Sequence, residues 1–332
     1  MNNVFVSWLR DDLEIYSSRR EQELSKNGFR SYSWHMKSFD SYIAQFPIRN
    51  MVDESLIAGW IKTLSHLVDG TINNYISDIR QFLLFENKHK GSHHFIPEFR
   101  NEVDLYVPHY FEDTERDKLY AIADNYPSRW NNHLPWIKVE LPMIMRIMDA
   151  SGTRISEILC LQRRDVDLNR NVITILNAKN EKQRYLPVSK SLGDVLLKYC
   201  KAMQIMETPD ALLFPARSRH EHLNPHDVYS RFIHVMRYAG IDRGTETHTR
   251  KACLYNFRHT FAIRSFRQLE QNGIHLDDVI PYLSIYMGHV GLKETEKYLK
   301  FSADTFPEEI DKFDHFTESV MPKEDLWERW AL

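Results

Sequence analysis

Four separated stretches of the 332-residue chain hold side chains able to do phosphorus chemistry. In residues 151–157, SGTRISE, Gly152 breaks one helix and Arg154 opens the next. An arginine there adds its guanidinium fork to the free N–H groups of a helix start, which makes an anion site. In residues 255–262, YNFRHTFA, the spacing sets Tyr255, Arg258 and His259 within one helical turn and turns Phe257 and Phe261 toward the core. A second arginine suits a phosphoryl transition state, because two planar cations can hold its equatorial oxygens. Residues 178–184, AKNEKQR, form a polar turn whose Lys179 can reach a groove and give a proton to a leaving oxygen. In residues 286–298, YMGHVGLKETEKY, Gly288 ends a helix and His289 sits just past that end. Tyr298 follows on a short helix, flanked by Lys297 and Lys300, cations that favour the nucleophilic phenolate.

Each stretch has an ordinary structural alternative. Arginines at helix starts and lysines in polar turns are common on surfaces, where ion pairs contribute little. A histidine beside a core phenylalanine is often a hydrogen-bonded structural residue, and most tyrosines are packed aromatics. The case for chemistry rests on the four together.

The elements that must position these residues are mostly helical. Residues 2–26 carry Phe5, Leu9, Leu13 and Tyr16 at three-to-four spacing, an apolar stripe. Ser31, Asp53 and Thr71 are suitable caps for three further helices, with Trp34, Phe39 and Ile43, then Ile57, Trp60, Ile61 and Leu64, then Ile72, Tyr75, Ile79, Phe82 and Leu83. Residues 88–110 lack periodicity and contain Gly91, Pro97 and Pro108, so they read as a linker. Asp113 caps the start of a second domain, in which helices are expected over about 135–150, 154–161, 192–203, 225–239, 254–271 and 276–287. The sheet signal is a hairpin, β-branched over 172–176 and returning over 184–188. The expected fold class is mainly α with a small antiparallel β-sheet. Its expected division is a helical domain over 1–90, a linker over 91–110, a larger domain over 111–302, and an acidic tail over 303–332.

A formal net charge of −3 shows no basic surplus for the chain as a whole. The surplus is local: residues 140–258 hold 19 Lys and Arg against 13 Asp and Glu, whereas residues 304–332 hold 3 against 9. A phosphate backbone would feel the field of that basic middle. Three cysteines, Cys160, Cys200 and Cys253, are far apart without C-x-x-C spacing, which argues against a zinc site or a disulfide framework and fits a reducing cytosol. Arg10, Asp11 and Asp12 interrupt the start before any signal-peptide core, and no apolar run approaches a membrane span.

Together the motifs over about residues 108–302 resemble the catalytic domain of the tyrosine recombinases, the phage and transposon integrases and Xer-type resolvases. The chain has, in family order, an Arg in a Gly-x-Arg-x-Ser-Glu box, a hairpin Lys, an Arg-His-Thr box, a Gly-His box and a Tyr nine residues after that His. The helical N-terminal part looks like the family's core-binding (SAM-like) domain. The resemblance implies a DNA strand transferase that works without metal, nucleotide or other cofactor. Tyr298 would attack the scissile phosphate and form a 3′-phosphotyrosyl link, leaving a 5′-hydroxyl that Lys179 protonates. Arg154 and Arg258 would stabilise the phosphorane, His289 would bond a non-bridging oxygen, and Glu157 would steady Arg154. The departure is Tyr255, where most members have histidine: a neutral phenol can donate a hydrogen bond but cannot readily accept the nucleophile's proton. His289, His259 or water is left as the base. The resemblance also implies a C-shaped clamp on double-stranded DNA and a tail that docks on a neighbouring protomer in a tetrameric synapse, the ordinary alternative being a helix that closes its own domain. The hundred N-terminal residues suffice for one core-binding domain and leave no room for an arm-binding domain. Trp327 or Trp330 is the expected anchor. A bacterial or archaeal cytoplasmic enzyme of site-specific recombination, integration or transposition is expected. The alternatives are a topoisomerase-like or hairpin telomere-forming enzyme and a DNA-binding regulator with an impaired site.

Overall fold

The structure, a computed structural model, describes residues 5–101, 108–126, 133–176, 183–241, 252–288 and 295. The chain divides into two compact units, Met1–Asp104 and Leu105–Leu332.

Among its described residues the first unit holds four helices, α1 (Arg10–Glu23), α2 (Lys26–Ile43), α3 (Glu54–Thr63) and α4 (Asp69–Lys90). Their apolar faces close on one core that contains Leu13, Met36, Phe39, Trp60, Ile76 and Phe82, all essentially without solvent exposure. The expected long first helix and the Ser31 cap are both corrected. Leu24 is extended and ends α1, Ser25 caps α2 by accepting from Gly28 N–H, and Ser31 lies inside α2. Asp53 caps α3 as expected, accepting from Leu56 N–H at 2.9 Å. Thr71 is not a cap, because α4 starts at Asp69 behind Val68. The stretch read as the start of a linker is tied to this unit. The His94 ring accepts from Val52 N–H at 2.9 Å, Asn87 bonds the His94 backbone at both its N–H and its carbonyl, and Asn73 does the same for Arg100. Side-chain partners for backbone groups that would otherwise go unpaired explain why residues 93–101 pack without forming a helix or strand.

The second unit begins with α5 (Asp113–Asp124), for which Glu112 rather than Asp113 is the cap, in a reciprocal box with Glu115. Then follow α6 (Ile137–Ser151), α7 (Ile155–Leu159), β1 (Val166–Asp167), β2 (Val172–Ile175), β3 (Arg184–Pro187), α8 (Lys190–Ala202), α9 (Pro225–Tyr238), α10 (Asn256–Gln271) and α11 (Leu276–Met287). The hairpin is present with Ile175 opposite Arg184, and a third strand, β1, pairs antiparallel on the far side of β2. Side chains alternate along β3, so Arg184 and Leu186 face inward while Tyr185 faces solvent. The main core runs through α6 and α9 and includes Ile144, Met148, Phe214, Phe232 and Phe257. A smaller cluster, with Ala262, Phe266, Leu283 and Met287, joins α10 to α11. Among the described residues no helix is long and apolar enough to cross a membrane.

Candidate active site

Arg154 is placed by the break between α6 and α7. Gly152 takes the left-handed conformation at φ +60°, which lets α6 end and the chain turn. Glycine is required there on a second ground, because a Cβ would lie 2.5 Å from the Phe261 ring. Around the turn, Ser151 Oγ donates to Ile147 O at 2.6 Å and bonds Thr153 Oγ1 at 2.5 Å. Asp149, one turn back, is held by Arg116 through three contacts of 2.5 to 3.1 Å and by the Tyr120 hydroxyl at 2.9 Å. The backbone that presents Arg154 is therefore fixed from both sides.

Arg154 stands at the N-terminal cap position of α7, and the Glu157 side chain reaches back to it. The Glu157 carboxylate accepts from Arg154 N–H at 3.0 Å and from Arg154 Nη1 at 3.2 Å. It also accepts two bonds from Arg184, at 3.1 and 2.6 Å. Burial on its own would raise the Glu157 carboxyl; hydrogen bonds and charge from Arg184, joined by those of Arg154, outweigh it and hold the group below its ordinary range. Glu157 is thus an ionised, buried anchor between two arginines.

Arg258 comes from α10, which is anchored at its start. Asn256 accepts from Cys253 N–H at 2.8 Å and donates to His109 O at 2.9 Å, and Thr260 accepts from Phe111 N–H at 3.0 Å. Phe257 is fully buried, and Phe261 stacks on Tyr286 with centroids 5.6 Å apart. Arg258 itself has no solvent exposure; it donates to Gly152 O and, at 2.9 Å, to Met287 O. The expected turn of Tyr255, Arg258 and His259 splits by direction. Tyr255 stands just ahead of α10, and its ring meets that of His259 edge-on at 5.0 Å.

Both arginines therefore converge on the end of α11. Arg258 reaches Met287 O, and Arg154 reaches Gly288 O at 2.9 Å, while Arg184 donates from Nε to Tyr286 O at 2.9 Å. Three consecutive carbonyls at the negative end of a helix dipole thus accept from three different guanidinium groups. Gly288, left-handed at φ +68°, ends α11 as the sequence implies.

Of the expected site residues, Arg154, Glu157 and Arg258 are brought together; Tyr255, just ahead of α10, meets the ring of His259 in its first turn. Lys179, His289 and Tyr298, with the tail from 303, lie outside the described residues. The strands that frame the Lys179 turn are paired up to Ile175 and Arg184. Arg184 itself has no role in the sequence reading. Its signal is visible in hindsight: a charged residue two positions from Leu186 on the inward side of a strand must find a buried partner.

Comparison with known proteins identifies the family and the fold. The model of the phage integrase family matches residues 111–304, more than half of the chain. The Sinorhizobium fredii protein y4rE, which carries an integrase/recombinase name, is 26% identical over 172 residues, 52% of this chain and 54% of its own length. The chain thus spans about half of that relative. The tyrosine recombinase XerC of Staphylococcus saprophyticus is 23% identical over 296 residues, 86% of this chain and 90% of XerC. Among solved structures, XerH bound to a palindromic difH substrate after cleavage superposes with a TM-score of 0.68 at 18% identity, covering 90% of this chain and 85% of XerH, a likeness of fold. With the family model spanning every motif from the Arg154 box to Tyr298, the chain belongs to the phage integrase family.

Proposed function

We propose that the chain is a site-specific DNA recombinase that cuts and rejoins double-stranded DNA through a 3′-phosphotyrosyl intermediate on Tyr298. The observation that carries this reading is the meeting of Arg154 and Arg258, from distant segments, on the adjacent carbonyls of Gly288 and Met287. Two guanidinium groups held that close can share one phosphate. The Tyr298 phenol loses its proton and attacks phosphorus, and the 5′ oxygen departs with a proton from Lys179. His289 donates to a non-bridging oxygen, Glu157 holds Arg154, and Tyr255 gives the phosphate one further hydrogen bond. His289, His259 or water takes the phenol proton. Rejoining reverses the attack and conserves the bond, so no nucleotide is consumed, and the cationic side chains supply the charge compensation that metals give elsewhere.

The N-terminal unit serves in this reading as the core-binding domain, and both units contact the duplex, chiefly at phosphates. Residues 303–332 dock on a neighbouring protomer and build a tetrameric synapse in the cytoplasm of a bacterium or archaeon. Deleting the chain beyond Asp314 should abolish that assembly on DNA while leaving single-protomer binding.

The test of the reaction is incubation with a nicked duplex carrying the target site, followed by a denaturing gel. A covalent protein–DNA adduct is expected from the wild-type chain and none from Tyr298→Phe. An adduct that persists in Tyr298→Phe refutes the nucleophile, and its absence from the wild type favours a binding-only regulator. Exchange of strands between two duplexes separates a recombinase from an enzyme that relaxes supercoils or seals hairpins.

A further inference from the structure

Arg184 takes no part in the reaction described above, yet it is among the best-connected side chains of the second unit. It leaves β3 on the inward face with its side chain 8% exposed, against a Glu157 side chain 2% exposed. Its donors divide three ways: Nη1 to Glu157 Oε1 at 3.1 Å, Nη2 to Glu157 Oε2 at 2.6 Å, and Nε to Tyr286 O at 2.9 Å. The next residues of α11 close on the same group, since a Cβ at Gly288 would sit 2.7 Å from Arg184 Nη1. Arg154 uses the same carboxylate with a single guanidinium bond of 3.2 Å and gives another, at 2.9 Å, to Gly288 O. One buried guanidinium therefore joins the strand leaving the Lys179 turn, the carboxylate beside Arg154, and the helix end that runs on to His289.

We propose that Arg184 is a positioning residue for strand transfer, acting through Glu157 on the orientation of Arg154. The inference rests on the phosphate-binding role assigned to Arg154 above. Arg184 takes the two-pronged share of the Glu157 carboxylate, so Arg154 is held to it by one side-chain bond. Without Arg184, both buried oxygens compete for the Arg154 guanidinium and draw it away from a phosphate. Lysine is a poor replacement, because one compact charge cannot span two carboxylate oxygens and a carbonyl at once.

The experiment uses the full chain and a nicked duplex recovered from a randomised pool by covalent capture on the wild type. Single-turnover adduct formation and equilibrium binding are measured for the wild type, Arg184→Lys, Arg154→Ala and the double variant. Arg184→Lys should bind the duplex within about twofold of wild type but cleave roughly 10- to 100-fold more slowly, the range in which partners behind a reacting group act. The double variant should be no slower than Arg154→Ala, because the route through Arg154 is already lost. If Arg184→Lys does not fold, Arg184→Gln takes its place; it cannot span both Glu157 oxygens and the Tyr286 carbonyl and should give the same slow cleavage with retained binding. Wild-type cleavage by Arg184→Lys, or losses that multiply in the double variant, overturn the proposal. Wild-type cleavage by Arg154→Ala removes instead the phosphate role on which it stands.

Discussion

Glu140 lies in the first turn of α6 with no solvent exposure, and among the described residues neither carboxyl oxygen has a hydrogen-bond partner. Burial pushes its pKa up to about 9, and the charge of Arg219, whose guanidinium lies 4.5 Å from the Trp136 ring centroid, offsets this only in part. At neutral pH the folded chain therefore keeps this acid protonated, while the unfolded chain ionises it above its ordinary value of 4.5. Between those two values the folded state holds one proton more than the unfolded state, so stability falls as pH rises. The slope is about 1.4 kcal/mol per pH unit, which makes the loss from pH 5.5 to 7.5 about 3 kcal/mol. Glu140→Gln removes the titration and leaves a pH-independent cost of about 1–3 kcal/mol for a buried amide without partners. Urea unfolding of both proteins at the two pH values measures the difference, with hydrogen exchange of the α6 amides assigning it to the second unit. Relative to wild type, the variant should gain about 3 kcal/mol on going from pH 5.5 to 7.5. Other groups titrate alike in both proteins and cancel. A stability difference that does not change with pH refutes the reasoning, since it would mean that the carboxyl is ionised and paired.

Glu157 has the opposite sign. Its folded pKa is lowered, so the stability it contributes is present above the ordinary carboxyl value and is lost as pH falls through the lowered one. Glu157→Gln should cost on the order of 3 kcal/mol at pH 7, because Arg184 loses its buried counter-charge, and in urea titrations the gap to wild type should narrow as pH falls below the ordinary carboxyl value of 4.5. Tyr255→Phe tests the phenol hydroxyl on the nicked duplex: the expected slowing of adduct formation is about 10-fold, one neutral hydrogen bond to a charged group. An equal rate removes Tyr255 from the phosphate, and Tyr255→His should restore or exceed the wild-type rate if a base is useful there.

The helix ends around Arg154 and the end of α11 were legible because their signals are local. Gly152 and Gly288 announce helix ends by residue type, and each is left-handed where the sequence puts it. Asp53 and the 3.6-residue stripes of α3 and α4 likewise need only neighbouring residues to be read. Elements whose cause is distant were harder. Ser25 and Ser31 are both plausible caps, and the choice between them is made by Leu24 turning extended at the end of α1, which the stripe of Phe5, Leu9, Leu13 and Tyr16 does not reveal. β1 is two residues long, too short for any alternation, and exists because β2 offers an edge. The packing of residues 93–101 depends on side-chain amides of Asn73 and Asn87 in α4 that reach back to the chain after it. Arg184 is intelligible once Glu157, 27 residues earlier, is seen across from it. Glu140 looks like the polar position of an amphipathic helix, but α6 is covered on nearly all sides, with Leu141, Met143, Ile144 and Met145 also buried.

The oxygens that receive the three guanidinium groups at residues 286–288 belong to the main chain, and this frees their side chains for other tasks. Tyr286 can stack on Phe261 and Met287 can fill the cluster between α10 and α11 without either duty limiting the other. Replacing these two residues should therefore disturb packing well before it disturbs charge, whereas the glycine that follows answers to both.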